Sequence, residues 1–251
     1  MKDLTIIVPI TELTKEESAL FDKAIESAKK HTDNIIVIGS KNTLNSVNTN
    51  GLTTIENEEN TEFSPQVNKA VENVKTKYFS ILEFDDYFND IWSKNVEKQI
   101  EMGEDISLYL PLTEVVDYKN LDKGSIGYVN EVVWASSFSD NIGYLDLECV
   151  EAYPNFNLTG GVFKTEDFKS VGGLKPSIKL SYWFEFLLRF LYNGKKAYVI
   201  PKVGYVHFLS RPNSVSDNYT RTMKEEEAEW WMNLAKKEYF FKKDRNKTYD
   251  E

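Results

Sequence analysis

Residues 78–88, YFSILEFDDYF, run an unbroken apolar stretch straight into a knot of carboxylates, Glu83, Asp85 and Asp86. A short run of aromatic and β-branched residues without polar alternation marks a strand covered on both faces, the habit of largely parallel sheets flanked by helices. Open α/β sheets bind ligands beyond the carboxyl ends of their strands, and that is where this sequence puts its three acids. Like charges so close together call for a compensating positive charge, most simply a divalent cation such as Mg²⁺ or Mn²⁺. An ion held this way keeps room for phosphate oxygens, so the knot reads as the seat of a phosphorylated or nucleotide ligand. The plainer alternative is an acidic turn facing water.

With 251 residues, 41% hydrophobic and 28% charged, the chain has material for one sizeable domain with a full core. A net charge of −10 argues against nucleic acid or an anionic membrane as partner, because neutralising phosphates needs clustered Lys and Arg. The single cysteine, Cys149, excludes an internal disulfide and a cysteine-based zinc site, and it reads as a small core residue. No window is apolar enough to span a bilayer. The first apolar run, residues 4–10, follows Lys2 and Asp3 and does not look like a leader; a cytoplasmic protein is expected.

Around the knot the pieces follow a repeating order. Residues 4–10 form a first strand that tolerates Pro9 only at its end. A helix over 15–30 comes next, with Leu20, Ala24, Ile25 and Ala28 as its stripe and Thr14 and Glu17 at capping-box spacing. A strand over 34–38 completes a βαβ unit. A short strand at 52–55 and a helix from Ser64 or Pro65 to Lys75 lead into the strand 78–82. Beyond the knot the pattern predicts a helix over 92–102, a strand over 106–112 and a helical or mixed insertion over 113–155. It then predicts a strand over 156–164 interrupted by Gly160 and Gly161, which allow a ligand to come close to the backbone. A helix over 165–171, an apolar helix over 182–193 and strands over 197–200 and 204–208 follow. From residue 222 a charged helix carries Trp230, Trp231, Leu234 and Phe241 near one face, docking on the core or offering a surface for a second copy of the chain.

This ordered set resembles the family-2 glycosyltransferases of GT-A fold, over roughly residues 5–216. Asn68, Ala70, Tyr78, Leu82, Glu83, Asp85 and Asp86 fall in the family's register. Gly160-Gly161, Gly172-Gly173-Leu174, the segment from Glu185 to Arg189 before Gly194, and IPKVGYVH ending at His207 follow in order. The resemblance implies an α/β fold with a mixed, mainly parallel sheet flanked by helices. Residues 1–217 would form the transferase domain, with 1–112 binding a nucleotide sugar and 113–217 facing the acceptor, and 218–251 a C-terminal helical extension. It further implies a metal-dependent, inverting transfer from a nucleotide-diphosphate sugar, a UDP-sugar foremost, to a hydroxyl of a glycan, lipid-linked or protein acceptor. Carried over residue by residue, Asp85 and His207 are metal ligands, Glu83 lies near the ribose or metal, and Asp86 supports catalysis. Arg211 reaches the diphosphate, and Mn²⁺ or Mg²⁺ offsets charge on the leaving group.

Two departures from that pattern matter. Gly39-Ser40-Lys41 stands where family members carry an acid that reads the donor base, so Pro9, Thr11, Ser40 and Asn68 are the expected donor contacts. Tyr182-Trp183 stands where an acidic pair supplies the catalytic base, which leaves Glu185 as the expected base. An ion pair with Arg189 at i, i+4 spacing is its structural alternative, and Asp146 and Glu148 are next in line. Tyr153, Gly160, Gly161, Tyr182 and Trp183 are expected around the acceptor, with Trp134 extending an aromatic wall. The same departures keep open a catalytically silent carbohydrate-binding or assembly module. A sugar-1-phosphate nucleotidyltransferase is set aside, because ITELTKEES is no Gly-rich basic loop.

Overall fold

The computed structural model describes the chain to Arg245 apart from residues 60, 137–140, 213, 215–217 and 219–220, with side chains to Lys236. Its strands are β1 (Leu4–Pro9), β2 (Ile35–Gly39), β3 (Thr53–Glu56), β4 (Tyr78–Ile81), β5 (Tyr87–Phe88), β6 (Leu108–Asp117), β7 (Ser125–Val129), β8 (Tyr144–Leu145), β9 (Val162–Lys164) and β10 (Ala197–Leu209). The helices are α1 (Lys15–Lys29), α2 (Lys41–Asn45), α3 (Phe63–Glu72), α4 (Trp92–Glu101), α5 (Leu147–Ala152), α6 (Thr165–Ser170), α7 (Tyr182–Tyr192) and α8 (Glu225–Arg245). Among the described residues the strands form one sheet in the order β3-β2-β1-β4-β9-β6-β10-β5, with β7 on β6 and β8 on β10. No helix among them is long and apolar enough to cross a membrane.

Strand direction is what gathers the site. β1 lies parallel to both β2 and β4. β9 runs antiparallel to β4 and to β6, and β6 is parallel to β10. The strands β1, β4, β6 and β10 therefore point one way, and their carboxyl ends open on a single edge of the sheet. β5 turns back after the acidic knot and pairs antiparallel with β10, Val206 opposite Tyr87. That pairing carries residues 83–86 up against His207.

The apolar runs are buried on both faces, as continuous strands of this kind require. Leu4, Ile6 and Val8 pack with Phe21, Ala24, Ile25 and Ala28 of α1 on one face. Ile7 packs with Val67, Ala70 and Val71 of α3 on the other. At roughly 1.5–3 kcal/mol for each large side chain taken fully out of water, these two layers supply much of the stabilisation of the sheet. The capping box at α1 is complete: Glu17 N donates to Thr14 Oγ1 at 3.3 Å, and Thr14 N to Glu17 Oε2 at 2.7 Å.

Departures from expectation lie mostly in residues 113–164. The strand predicted to end at 112 continues to Asp117 and forms a hairpin with β7. Two 3-10 turns, β8 and α5 follow, the mixed of the two forms expected over 113–155. Positive φ at Gly124, Asn130 and Gly143 interrupts helical continuation there. The strand expected over 156–164 shortens to β9, because Gly160 turns the chain at φ 76°, where a Cβ would sit 2.4 Å from the Tyr205 ring. Conversely, the two strands expected over 197–208 are one, bulged between Ile200 and Tyr205 and paired with β6 on both sides of the irregularity. The short helix α2 was not expected.

Candidate active site

Beyond the shared edge lies a cavity of about 820 Å³, lined on one side by Pro9, Thr11, Glu17, Glu83, Asp85, His207 and Arg211. The knot is a tight electrostatic cluster. Arg211 Nε donates to Asp85 Oδ2 at 2.6 Å, its Nη1 pairs with Glu17, and its guanidinium lies 4.9 Å from the Phe84 ring centroid. Asp86, 1% exposed, accepts from Phe208 N at 2.8 Å and pairs with His207 Nδ1 at 2.9 Å. The Tyr205 hydroxyl bonds Asp86 as well, and it accepts from Glu83 N at 3.2 Å. Glu83 in turn bonds Thr159, whose hydroxyl donates to Asn157 Oδ1 at 2.5 Å.

Four carboxylates here, Glu17, Glu83, Asp85 and Asp86, meet two cationic side chains, Arg211 and His207. The shortfall of positive charge shows in the protonation equilibria. Burial, then the neighbouring Asp86, pushes Glu83 up to about 8. Burial and Asp86 also raise Asp85, against the pull of Arg211. For His207 burial opposes the charge, but Asp86 and the other two acids outweigh it and lift the ring to about 9. The Tyr205 hydroxyl is driven well above its ordinary value by burial, Asp86 and Glu83, and stays protonated.

A divalent ion suits this chemistry. Asp85 and His207 both line the cavity, and Asp86 holds His207 through Nδ1, so that Nε2 lies outside that bond. A carboxylate behind a histidine is the usual support of a metal-bound imidazole. Among the described residues no group of three His, Cys or acidic side chains gathers to hold a metal. An ion here would therefore take much of its shell from ligand and water oxygens.

The other expected site residues divide sharply. Tyr182 and Trp183 line the cavity and cluster with Phe63, at centroid distances of 5.3 Å from Tyr182 and 5.9 Å from Trp183. Glu185 does not line it. The side chain is fully buried, paired bidentately with Arg189 at 2.7 and 2.8 Å and with Lys175 at 3.1 Å, and Arg189 also bonds the carbonyls of Val171 and Gly173. Its job is to tie α7 to the 171–175 turn, so the expected base is corrected to a structural ion pair. Asp86 likewise positions His207 and is absent from the cavity wall. Ser40 caps α2, accepting from Thr43 N at 3.2 Å. Asn68 clamps Leu174 through both backbone groups, at 2.7 and 2.9 Å.

The acceptor list needs similar correction. Tyr153 packs edge-on against Phe156, and Trp134 against Tyr198. Gly160 and Gly161 leave room for the Tyr205 ring and Leu110, which an added Cβ would meet. Asp146 caps α5, bonding Cys149 N at 2.7 Å, and Glu148 is exposed on that helix. Cys149 is buried, as a core residue should be. Residues not anticipated at the site include Glu12, Glu17, Phe63, Asn157 and, from the C-terminal segment, Glu225 and Ala228. Glu17 had a visible signal, but only for its role as a cap.

The mixed, mainly parallel sheet flanked by helices is the GT-A-like fold of glycosyltransferases. Among solved structures, S. aureus TarS is 15% identical, over 83% of this chain and 37% of that one, with a TM-score of 0.58. A TarS fragment in complex with UDP-GlcNAc is 15% identical over 86% of this chain and 60% of that one, TM-score 0.62. The mannosyltransferase PcManGT from Pyrobaculum calidifontis, in complex with GDP-Man and Mn²⁺, is 13% identical over 87% and 60%, TM-score 0.58. The chain thus spans little more than a third of TarS, and at these identities the likeness is one of fold. No protein-family model matches the chain, and no curated protein does.

Proposed function

We propose that this chain transfers a sugar from a nucleoside-diphosphate donor to an acceptor hydroxyl. The observation that carries the reading is the convergence of Asp85, Glu83, His207 and Arg211 with the end of β1 in one cavity. Support comes from neighbours of the same fold solved with UDP-GlcNAc and with GDP-Man and Mn²⁺. The donor base would sit toward Pro9 and Thr11, and the diphosphate over Glu83 and Asp85. Mn²⁺ or Mg²⁺ held by Asp85 and His207 would supply positive charge to the leaving diphosphate. Arg211, pivoting from Asp85 toward a phosphate oxygen, adds a guanidinium suited to bidentate phosphate contact, and Asp86 keeps His207 oriented. In an inverting transfer the acceptor oxygen bonds the anomeric carbon as its bond to the diphosphate breaks, and a carboxylate takes the hydroxyl proton. With Glu185 sealed away, Glu83 and Asp85 assigned to the donor, Glu17 held by Arg211 and Glu62 facing Lys179 at 3.5 Å, Glu12 and Glu225 are the cavity carboxylates left for that proton.

The test is thermal unfolding with UDP, UDP-GlcNAc and GDP-mannose, each with and without Mn²⁺. A ligand that binds only the native state raises Tm, and Asp85→Asn is expected to remove the metal-dependent part of the rise. A wild-type protein indifferent to every nucleotide sugar would refute the proposal. The burial of Glu185, with Tyr182 and Trp183 at the usual base position, favours a second reading, a silent carbohydrate-binding module. Its mark would be donor binding without turnover across acceptors.

A further inference from the structure

Resting on that donor reading, we propose that the far end of the cavity takes an uncharged pyranoside as acceptor, and that helix α8 completes this subsite. The wall there is apolar and aromatic. Tyr182, Trp183 and Phe63 form one ring cluster, and Ile178 and Leu180 extend it along the segment before α7. Met223 and Ala228 close it from the C-terminal segment. α8 is fixed in that position: Ser181 Oγ donates to the Trp231 carbonyl at 2.7 Å, Ala235 is fully buried, and Met232 packs on the core. The helix is a wall of the cavity and not an appendage beside it.

Charge decides which acceptor fits. The cavity is lined by six acidic side chains, of which Glu83 is pushed up to about 8, against Lys179, Lys224, Arg211 and the cationic His207. Of these cations, Arg211 is paired with Asp85 and Glu17, His207 with Asp86, and Lys179 faces Glu62. A donor diphosphate claims the cationic groups of the knot. A second anion, a phosphate or a uronate, would then lie beside carboxylates with only Lys224 uncommitted among the described residues, a like-charge placement that interfaces avoid. A neutral sugar meets the same surface differently. Its hydroxyls hydrogen-bond the carboxylates, and its C–H faces cover the rings, as in pockets of apolar walls with few polar groups.

The experiment uses the full chain with Mn²⁺ and the donor that shifts its Tm. Acceptors are the p-nitrophenyl glycosides of glucose, galactose, mannose and N-acetylglucosamine, set against p-nitrophenyl glucuronide and glycerol phosphate. Neutral acceptors are expected to lead by about tenfold or more in kcat/KM. Ala228→Trp, which fills the subsite from α8, is expected to abolish transfer while leaving the donor-induced Tm shift intact. Preference for either anionic acceptor, or full transfer by Ala228→Trp, would overturn the proposal. Tryptophan fluorescence titrated with the corresponding methyl pyranosides reads the subsite without donor or turnover. A saturable change that Ala228→Trp removes supports the proposal, and no change with any neutral glycoside refutes it. Failure of the donor reading shows separately, as a missing nucleotide-sugar Tm shift.

Discussion

Glu185 and Arg189 are four residues apart on α7, and both are sealed from water, at 0% and 2% exposed. A buried pair contributes little beyond a well-packed apolar pair of the same shape, but removing one partner leaves the other charge stranded, at a cost of about 3–5 kcal/mol. Glu185→Gln is therefore expected to lower the free energy of urea unfolding by that order while the folded fraction keeps its nucleotide-induced Tm shift. A variant of unchanged stability would put Glu185 back among the candidates for chemistry. His31 makes a pH-dependent counterpart. It is 3% exposed, bonds Ser93 Oγ through Nδ1 at 2.9 Å and meets the mutually stacked Phe88 and Trp92 rings in T-shaped contacts. Burial first, and the N-terminal ammonium second, lower its pKa from 6.5 to about 4. The unfolded chain takes up this proton before the folded one does. The contribution to stability is thus whole above pH 6.5 and lost as pH falls toward 4, with a slope of at most about 1.4 kcal/mol per pH unit from this one group. Urea titrations between pH 7 and 4.5 should show the loss in the wild type and a flatter profile in His31→Gln; identical profiles would clear His31 of the effect.

At the scale of elements, the N-terminus of α1 does two things at once. Glu17 Oε2 closes the capping box, and Oε1 holds Arg211, 194 residues away in sequence. Thr14→Ala removes a cap alone and is expected to cost about 1 kcal/mol, with nucleotide affinity unchanged. Glu17→Ala removes the same cap and also frees Arg211, so it should change affinity for a nucleoside diphosphate as well as stability. Isothermal titration of both variants checks the pair, and equal affinities would mean that Glu17 does not steer Arg211. The two roles of Glu17 also show what was legible in the sequence. The capping box, the stripe of α1 and the buried strands β1, β2 and β4 depend on neighbours within a few residues, and periodicity alone placed them to within a residue or two. The hairpin of β6 and β7 was missed because its half-exposed residues, EVVD, mix charges into the end of an otherwise apolar strand. Ser40 and Asn68 were misread because a polar side chain near a site looks the same in sequence whether it meets a ligand or a helix end. The roles of Asp86 and Glu185 were set by partners from distant elements or by burial, which no local pattern encodes.

At the scale of the whole molecule, charge and architecture each limit what the chain can do. With a net charge of −10, few phosphates of a duplex can be neutralised, so no salt-sensitive binding of double-stranded DNA is expected at physiological ionic strength. Submicromolar binding in a fluorescence-anisotropy titration would contradict this. Architecture frames the remaining question, because the cavity draws on the end of β1, the turn after β4, the end of β10 and the start of α8. On the proposed function, the first three would hold the donor without any chemistry following, and an inverting transfer would also require a carboxylate from outside the knot. Glu12 follows β1 and Glu225 opens α8, so they approach the cavity from opposite ends of the chain, and neither is tied up by an ion pair among the described residues. If the protein is an inverting transferase, Glu12→Gln or Glu225→Gln, and not both, should lower kcat by about 10²-fold to 10⁴-fold, the range expected of a general base. The donor-induced Tm shift should persist, since Asp85, His207 and Arg211 are untouched. Asp85→Asn should do the reverse, losing the metal-dependent shift along with turnover. Undiminished turnover in both glutamine variants would exclude these two carboxylates as the base. Donor binding with no turnover in the wild type would instead identify the silent module.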